Sequence, residues 1–351
     1  VAGRLEDPVE AVRFAAVEAI GRVAPLGCHL AIREVCSRLE HPAEDVRAAA
    51  ARALPRVAAR GDTFAISEVC ARLECAAEAV RLAAARALPR VASQGDKHAI
   101  DAVALRLEHS DGEVRRAAVK ALGHVARPGD AHAINAVSGR LEHHDSRVRR
   151  AAVRGLARVA ERGDECALEA VAERLEHRES EAREAAVEAL GRVSRIGDGR
   201  GIQLVSARLE DGDLFVRRAA VRNLAEVARR GDPRAIHAVS ARLEHCDGGV
   251  RQAAVRGLAQ VARKGDERAI HTVSLRLEHR DGSVRRAAAR GLAQVAEQGD
   301  GHAMHAVISR LSHEDAEVRE DAKAALRQLA GKGNDRAMVS LARAWSTGMV
   351  R

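Results

Sequence analysis

The sequence predicts an all-α protein in which tandem two-helix repeats stack into an α-solenoid. A 34-residue unit recurs along almost the whole 351-residue chain, and a fixed period of this length is typical of repeat arrays. Apolar residues recur within the unit at helical spacing rather than with the alternation of a strand. Aromatic residues make up only 1% of the chain, so the core is expected to consist of thin layers of Ala, Val, Leu and Ile.

We number the positions of each repeat from 1 to 34. Ten copies begin at Asp7, His41, Cys75, His109, His143, His177, Asp211, His245, His279 and His313. We expect one solenoid domain over residues 1–351, with the ten repeats at 7–346 and a tail at 347–351. Residues 1–6 match positions 29–34 of a preceding copy, and the chain starts without Met. We therefore interpret the sequence as a fragment of a longer array.

The first helix of each repeat is predicted at positions 4–19. An Asp at position 3, such as Asp111, is the expected N-cap. Apolar residues at positions 6, 10, 14 and 17, for example Val114 and Leu122, form one helical face. Every copy has Gly at position 21, such as Gly129, which predicts a left-handed residue that ends the helix.

The second helix is predicted at positions 23–34, after an Asp cap such as Asp130. Pro55 and Pro89 fall inside first helices, where each should remove a backbone hydrogen bond and kink the helix. In the last copy Leu329, Leu341 and Trp345 replace the usual residues, as expected of a terminal repeat with an exposed end.

The repeat resembles HEAT repeats, in particular the short HEAT-like type also found in phycobilin lyases. The resemblance rests on a D-x-x-V-R-x-x-A-x-x-A-L-G-x-V pattern, present as DGEVRRAAVKALGHV at 111–125, and it covers essentially the whole chain. It implies a right-handed α-solenoid of HEAT-like repeats whose first helices line the concave face. It also implies a binding scaffold, without indicating the ligand.

Two arginine columns and one histidine column are expected to be structural. Arg at position 32 occurs in nine copies, from Arg38 to Arg310, and Arg at position 7 occurs in all ten: Arg13, Arg47, Arg81, Arg115, Arg149, Arg183, Arg217, Arg251, Arg285 and Arg319. We expect them to tie neighbouring repeats through acidic side chains or helix-end carbonyls. His at position 1 in seven copies is expected to meet the carbonyls at the end of the second helix as a partly charged imidazole.

Positions 8, 12 and 16 lie four residues apart and should share the exposed face of the first helix. We call their basic residues the basic track: Arg52, Arg56, Arg86, Arg90, Arg116, Lys120, Arg150, Arg154, Arg158, Arg218, Arg222, Arg256 and Arg290. Glu18, Glu184 and Glu188 interrupt it. Phe14 and Leu82 occupy position 8 in copies one and three. They are candidate apolar anchors for a partner, and packing against a preceding repeat or a bent helix is the alternative. A solvated helix face, a site for an acidic protein surface and a site for nucleic-acid phosphates all remain open.

The net charge of +8 and pI of about 9.7 favour an acidic partner. No apolar run approaches the ~20 residues of a membrane-spanning helix, and the spacing of His residues between copies is too wide for a metal site. Cys36 and Cys70, at one repeat position, are expected to be small buried residues, and the six dispersed cysteines fit reduced thiols in an intracellular protein. We therefore predict a non-enzymatic protein-binding scaffold without metal or cofactor, acting on an acidic protein surface or larger protein complex. Nucleic-acid binding is the alternative, and chromophore-lyase activity rests on the family analogy alone.

Overall fold

The structure, a computed structural model, describes residues 1–330. These residues are almost entirely helical and contain no strand, which confirms the predicted all-α solenoid. The chain divides into two compact units, Val1–Val193 and Ser194–Arg351. The substitutions noted at Leu341 and Trp345 lie outside the described residues, whereas Leu329 is buried.

In unit 1 the first helices of successive repeats pack side by side in one layer: α1 (Glu10–Val23), α3 (Glu44–Val57), α5 (Glu78–Val91), α7 (Gly112–Val125), α9 (Ser146–Val159) and α11 (Ser180–Val193). The second helices form the other layer: α2 (His29–Ser37), α4 (Thr63–Ala71), α6 (Lys97–Leu105), α8 (Ala131–Ser138) and α10 (Glu165–Arg174). Short 3-10 helices occupy Ala2–Glu6, Arg38–Glu40, Arg72–Glu74, Arg106–Glu108 and Gly139–Glu142.

Unit 2 has the same two layers. Its first helices are α13 (Leu214–Val227), α15 (Gly248–Val261), α17 (Gly282–Val295) and α19 (Ala316–Ala330). Its second helices are α12 (Gly199–Ala207), α14 (Pro233–Ala241), α16 (Glu267–Ser274) and α18 (Gly301–Ile308). Its 3-10 helices are Arg208–Glu210, Arg242–Glu244, Leu275–Glu278 and Ser309–Ser312.

The predicted apolar faces form the core between the layers. In the fourth repeat Val114 and Leu122 of α7 are buried, together with Ile134 and Val137 of α8. Neither helix can cover its apolar face alone, so each repeat depends on its neighbours for burial. The predicted caps are also confirmed: Asp111 accepts a hydrogen bond from the Glu113 N–H at 2.8 Å, and Asp130 accepts one from the Ala133 N–H at 3.0 Å.

The first helices end two residues earlier than predicted, and the glycine at position 21 is not the residue that stops them. Helix α7 ends at Val125, and Ala126 is already extended, with φ −83° and ψ 148°. Gly129 is instead the third residue of a turn in which the Asp130 N–H donates to the Arg127 carbonyl at 3.0 Å. Its φ of +75° confirms the left-handed conformation, which a turn of this kind requires at its third residue.

The same glycine connects consecutive repeats. The Gly95 N–H donates to the carbonyl oxygen of Val125 at 2.7 Å, and the Gly129 N–H donates to that of Val159 at 2.8 Å. Each turn therefore satisfies a carbonyl at the end of the next first helix, which would otherwise lack a partner. The first helix is stopped by a contact from the preceding repeat as well as by its own sequence.

The proline residues leave the helix bounds unchanged. Helices α3 and α5, which contain Pro55 and Pro89, have the same 14-residue length as α7 and α9. The kink expected at each proline stays a prediction.

Candidate functional site

The arginines at position 7 bind the loop that leads into their own helix. Arg149 Nη1 donates to the carbonyl oxygens of His143 and His144, each at 2.8 Å, and the corresponding pair of bonds forms in every repeat. These carbonyls belong to the same repeat as the arginine, so this pair of bonds does not make the expected tie between neighbouring repeats. In the first repeat the same guanidinium also reaches an acid of the next copy, with 3.3 Å between Arg13 Nη2 and Asp45 Oδ2.

The arginines at position 32 form ion pairs between neighbouring repeats. Arg106 Nε lies 3.0 Å from Glu74 Oε1 of the preceding copy, while its Nη1 donates to the Ala102 carbonyl at 2.8 Å. Equivalent ion pairs of 2.8–3.1 Å repeat along both units: Arg38–Glu6, Arg72–Glu40, Arg140–Glu108, Arg174–Glu142, Arg242–Glu210, Arg276–Glu244 and Arg310–Glu278. Both arginine columns are therefore structural, as predicted.

The predicted role of the position-1 histidines is wrong. His109 Nδ1 accepts a hydrogen bond from the Asp111 N–H at 3.0 Å, and the other six histidines of this column do the same. The imidazole thus serves as a hydrogen-bond acceptor at the start of the first helix, in place of the expected contact with the carbonyls at the end of the second helix. Asp211 makes the same bond with its carboxylate, at 2.9 Å.

The basic track is exposed. In unit 1 its arginines and Lys120 are all exposed on the first-helix layer, and in unit 2 Arg218, Arg222, Arg256 and Arg290 are exposed on the equivalent face. Arg56 pairs with Glu18, with 2.5 Å between Nη2 and Oε1, and Arg116 pairs with Glu113. Among the described residues no carboxylate lies within ion-pairing distance of Arg86, Lys120 or Arg154.

A groove with an apolar floor separates α3 from α5. Its volume is about 350 Å³. Ala48, Ala51, Ala79, Leu82 and Ala83 line its floor, and Arg47, Arg52, Arg86, Arg90 and Glu44 surround it. The groove exists because Ala79 occupies position 5 and Ala48 occupies position 8. Copies four and five have charged side chains at both of these positions.

The cleft between α7 and α9 is cationic. Its volume is about 270 Å³, and it is lined by Arg115, Arg116, Arg147, Arg150 and Arg154 together with Gly112, Val119 and Ala151. Arg150 Nη2 donates to Ser146 Oγ at 3.3 Å. Several guanidinium groups that line one cleft raise the local positive potential and concentrate anionic oxygens there.

The neighbouring cleft, between α9 and α11, is acidic on its α11 side. Glu181, Glu184 and Glu188 of α11 face Arg149 and Arg150 of α9 across about 370 Å³. The basic track of unit 1 is thus bounded at α11 by acidic residues. The interruption predicted from Glu184 and Glu188 is present at this cleft, and Glu181 extends it by one turn.

Unit 2 has a second groove with apolar lining, between α13 and α15. Leu214 and Val221 line it, and the track residues Arg218, Arg222 and Arg256 surround it in a volume of about 230 Å³. The Arg218 guanidinium also lies over the Phe215 ring, 5.8 Å from its centroid.

The two predicted apolar anchors do not come together. Leu82 is half-buried in the floor of the α3/α5 groove, whereas Phe14 lies on α1 with 60% of its surface exposed. Arg147 and Glu181 occupy position 5, which is not among the positions predicted to face the site. Position 5 lies three residues before position 8, so helical spacing alone would have placed it on the same face.

The sequence pattern of the family described as HEAT repeats matches four overlapping segments, 66–157, 100–191, 134–225 and 168–259. Together they cover more than half of the chain, and successive matches are displaced by one 34-residue repeat. The chain belongs to the HEAT-repeat family. This confirms the resemblance found in the sequence.

Two solved structures match the chain at low identity. The crystal structure of an engineered protein matches 95% of this chain and 98% of its own, with 19% identity and a TM-score of 0.32. Importin beta matches 93% of this HEAT chain with 16% identity and a TM-score of 0.38, and the match spans 50% of the importin beta chain. No protein of curated function matches the sequence.

HEAT-repeat solenoids are typically scaffolds for protein interaction, and repeat arrays use extended surfaces for that purpose.

Residues 1–330 of this HEAT protein hold no cluster of three or more His, Cys, Asp or Glu side chains able to bind a metal ion. Burial raises the pKa of both the Cys36 and the Cys70 thiol to about 12, which keeps them as unreactive small core residues. None of the described helices is long and apolar enough to cross a membrane.

Proposed function

We propose that the chain is a non-enzymatic protein-binding scaffold whose basic track binds an acidic protein surface. One observation carries this proposal. Arginines that serve the fold are tied to carbonyls and to acids of neighbouring repeats, whereas Arg86, Lys120 and Arg154 are exposed on consecutive first helices without an ion-pair partner among residues 1–330. Exposed charges contribute little to stability, so a binding role is the better account of this basic surface.

The apolar grooves favour a protein partner over nucleic acid. Binding of single-stranded nucleic acid uses aromatic side chains on which bases stack. Among residues 1–330, the exposed phenylalanines beside the track are Phe14 and Phe215 alone. The floors formed around Leu82 and around Val221 suit aliphatic side chains of a protein. The acidic side chains of α11 would also repel a continuous phosphate backbone.

The cationic α7/α9 cleft supports the alternative, in which a nucleic-acid backbone lies on the same track. Binding of this kind falls steeply with salt and depends little on sequence. Placement of the track on a concave face is part of the proposal and rests on the HEAT resemblance. An intracellular site of action is supported by the six free cysteines.

Charge reversal tests the proposed function. The substitutions Arg86→Glu, Lys120→Glu and Arg154→Glu occupy position 12 of three consecutive repeats, and we expect them to leave the melting temperature nearly unchanged. They should weaken capture of the native partner, mainly through slower association. Pull-downs with the wild-type and the variant, each with and without nuclease, measure this effect. Nuclease-sensitive capture would favour the nucleic-acid alternative.

The matched set at position 7 reverses the same number of charges on the same helices. Arg81→Glu, Arg115→Glu and Arg149→Glu should each cost about 2 kcal/mol, since each loses charge-assisted hydrogen bonds to two carbonyls. If the position-7 triple variant folds and the position-12 triple variant does not, then position 12 has the structural role and position 7 is the candidate for binding. Unchanged capture by the position-12 set would contradict the proposed function.

A further inference from the structure

We propose that the track of unit 1 binds an extended acidic peptide carrying two determinants about six residues apart. One is an aliphatic side chain, held in the α3/α5 groove. The other is a cluster of anionic oxygens, carboxylates or phosphates, held in the α7/α9 cleft. This inference rests on the proposed function and specifies the partner of the same surface.

The α3/α5 groove suits the aliphatic determinant. Its floor consists of Leu82 and alanine side chains, so a bound aliphatic group would displace water from an apolar surface. The surrounding Arg52, Arg86 and Arg90 are all exposed. They would pair with acidic residues flanking the aliphatic one, whereas a basic or neutral peptide would gain no such contact.

The α7/α9 cleft suits the anionic determinant. Arg147, Arg150 and Arg154 come from successive turns of α9, and Arg116 faces them from α7. Arg115 donates to backbone carbonyls and Arg116 pairs with Glu113, so these two are partly satisfied. Among the described residues no carboxylate pairs with Arg147, Arg150 or Arg154. Arg150 donates to Ser146 Oγ from Nη2, which leaves the other donors of these three guanidinium groups for a ligand.

The spacing follows from the stacking of the first helices. Helices α3, α5, α7 and α9 are successive neighbours in one layer, and packed helices lie about 10 Å apart. The groove and the cleft are two repeats apart, and therefore separated by about 20 Å. An extended peptide advances about 3.3 Å per residue, so about six residues connect the two determinants.

Synthetic fluorescent peptides test this inference by anisotropy. Each carries one Leu and a run of Glu, joined by a Gly-Ser spacer that places them about two, six or ten residues apart. We expect the peptide with the six-residue spacing to bind about tenfold more tightly than the peptide with the two-residue spacing. It should also bind about tenfold more tightly than a peptide of the same spacing with Ser in place of Leu. A phosphoserine run in place of Glu distinguishes the two sources of anionic oxygens.

Two variants with matched controls assign the determinants. Leu82→Asn should abolish the advantage of the Leu peptide and leave the Ser peptide unaffected, whereas Leu105→Asn, at an exposed position on α6, should change neither. Arg150→Glu with Arg154→Glu should weaken both peptides. Arg162→Glu with Arg178→Glu reverses two exposed charges of unit 1 outside the track and should have less effect.

The outcomes separate this inference from the proposed function. Binding that needs Arg150 and Arg154 but is indifferent to spacing and to Leu82 would overturn the two-determinant peptide and leave the acidic-partner proposal standing. Equal effects of the track pair and the Arg162/Arg178 pair would overturn both. A single-stranded oligonucleotide that binds more tightly than every peptide, and is insensitive to Leu82→Asn, would also overturn the peptide and favour nucleic acid.

Discussion

Arg115 and Arg116 are adjacent in sequence and differ in role. Arg115 is 9% exposed and donates to the carbonyls of His109 and Ser110, while Arg116 is exposed on the track. Adjacent helical residues point about 100° apart, so one faces the loop and the next faces solvent. Residue type alone cannot separate structural from functional arginines in this chain, and position within the repeat can.

Two glycines six residues apart in the fourth repeat should change the protein's stability in opposite directions when each is replaced by alanine. At Gly129 the φ of +75° disfavours any side chain, and an added Cβ would lie 2.9 Å from Asp164 Oδ2. We expect Gly129→Ala to destabilise the protein by about 1–3 kcal/mol. Gly123 lies inside α7, where an added Cβ would meet only Arg158 Cδ at 4.0 Å, so Gly123→Ala should stabilise by about 0.5–1 kcal/mol.

Denaturant titrations of both variants measure the difference. Equal shifts in the transition midpoint would show that the turn tolerates a side chain. A destabilised Gly123→Ala would show that the layer of first helices has no room beside Arg158.

The helices illustrate which features periodicity could predict. Positions 6, 10, 14 and 17 were assigned to the core from spacing alone, and Val114, Leu122 and Val125 are buried. The end of the first helix was misplaced, because the carbonyl of Val125 is satisfied by Gly95 of the preceding repeat. A contact between residues 30 positions apart leaves no local signal at the helix end.

The track was predictable and its grooves were not. Exposure of positions 8, 12 and 16 follows from helical spacing, and the basic residues there are exposed as expected. The α3/α5 groove depends on Ala48 of one helix and Ala79 of the next, which are small at the same place in the layer. Such a coincidence appears only when neighbouring helices are placed side by side.

Pro55 should limit the stability of α3. Proline at position 15 removes one intrahelical hydrogen bond, yet α3 keeps the bounds of the other first helices. We expect Pro55→Ala to stabilise by about 2 kcal/mol, since restoring the helix outweighs the greater freedom of the unfolded chain. Thermal unfolding measures the gain. The reciprocal Ala157→Pro in α9 should destabilise, and a neutral result for both would mean that this turn contributes no helical hydrogen bond.

At the scale of the whole molecule, stability should vary along the array. Within unit 1 the second repeat contacts both neighbours, through the position-32 ion pair Arg72–Glu40 and through the Gly turn bond Gly61–Val91. Val23 at the end of α1 is 70% exposed, whereas Val57 at the equivalent end of α3 is buried and its carbonyl accepts a hydrogen bond from the Gly27 N–H at 2.8 Å. Nearest-neighbour stacking therefore predicts easier opening of the first repeat than of the second.

Two natural thiols can measure this gradient. Cys36 of α2 and Cys70 of α4 occupy the same repeat position, are both fully buried, and have their pKa raised to about 12 by that burial. Each thiol should react with an alkylating reagent only when its repeat opens. In two variants of the 1–351 chain that retain one of these cysteines, with Ser at the other five positions, Cys36 should label about tenfold faster or more. Both should label at one rate in denaturant, where the two thiols are equally accessible. Equal rates in native buffer would mean that the first two repeats open together, and that stability is not additive over neighbouring repeats.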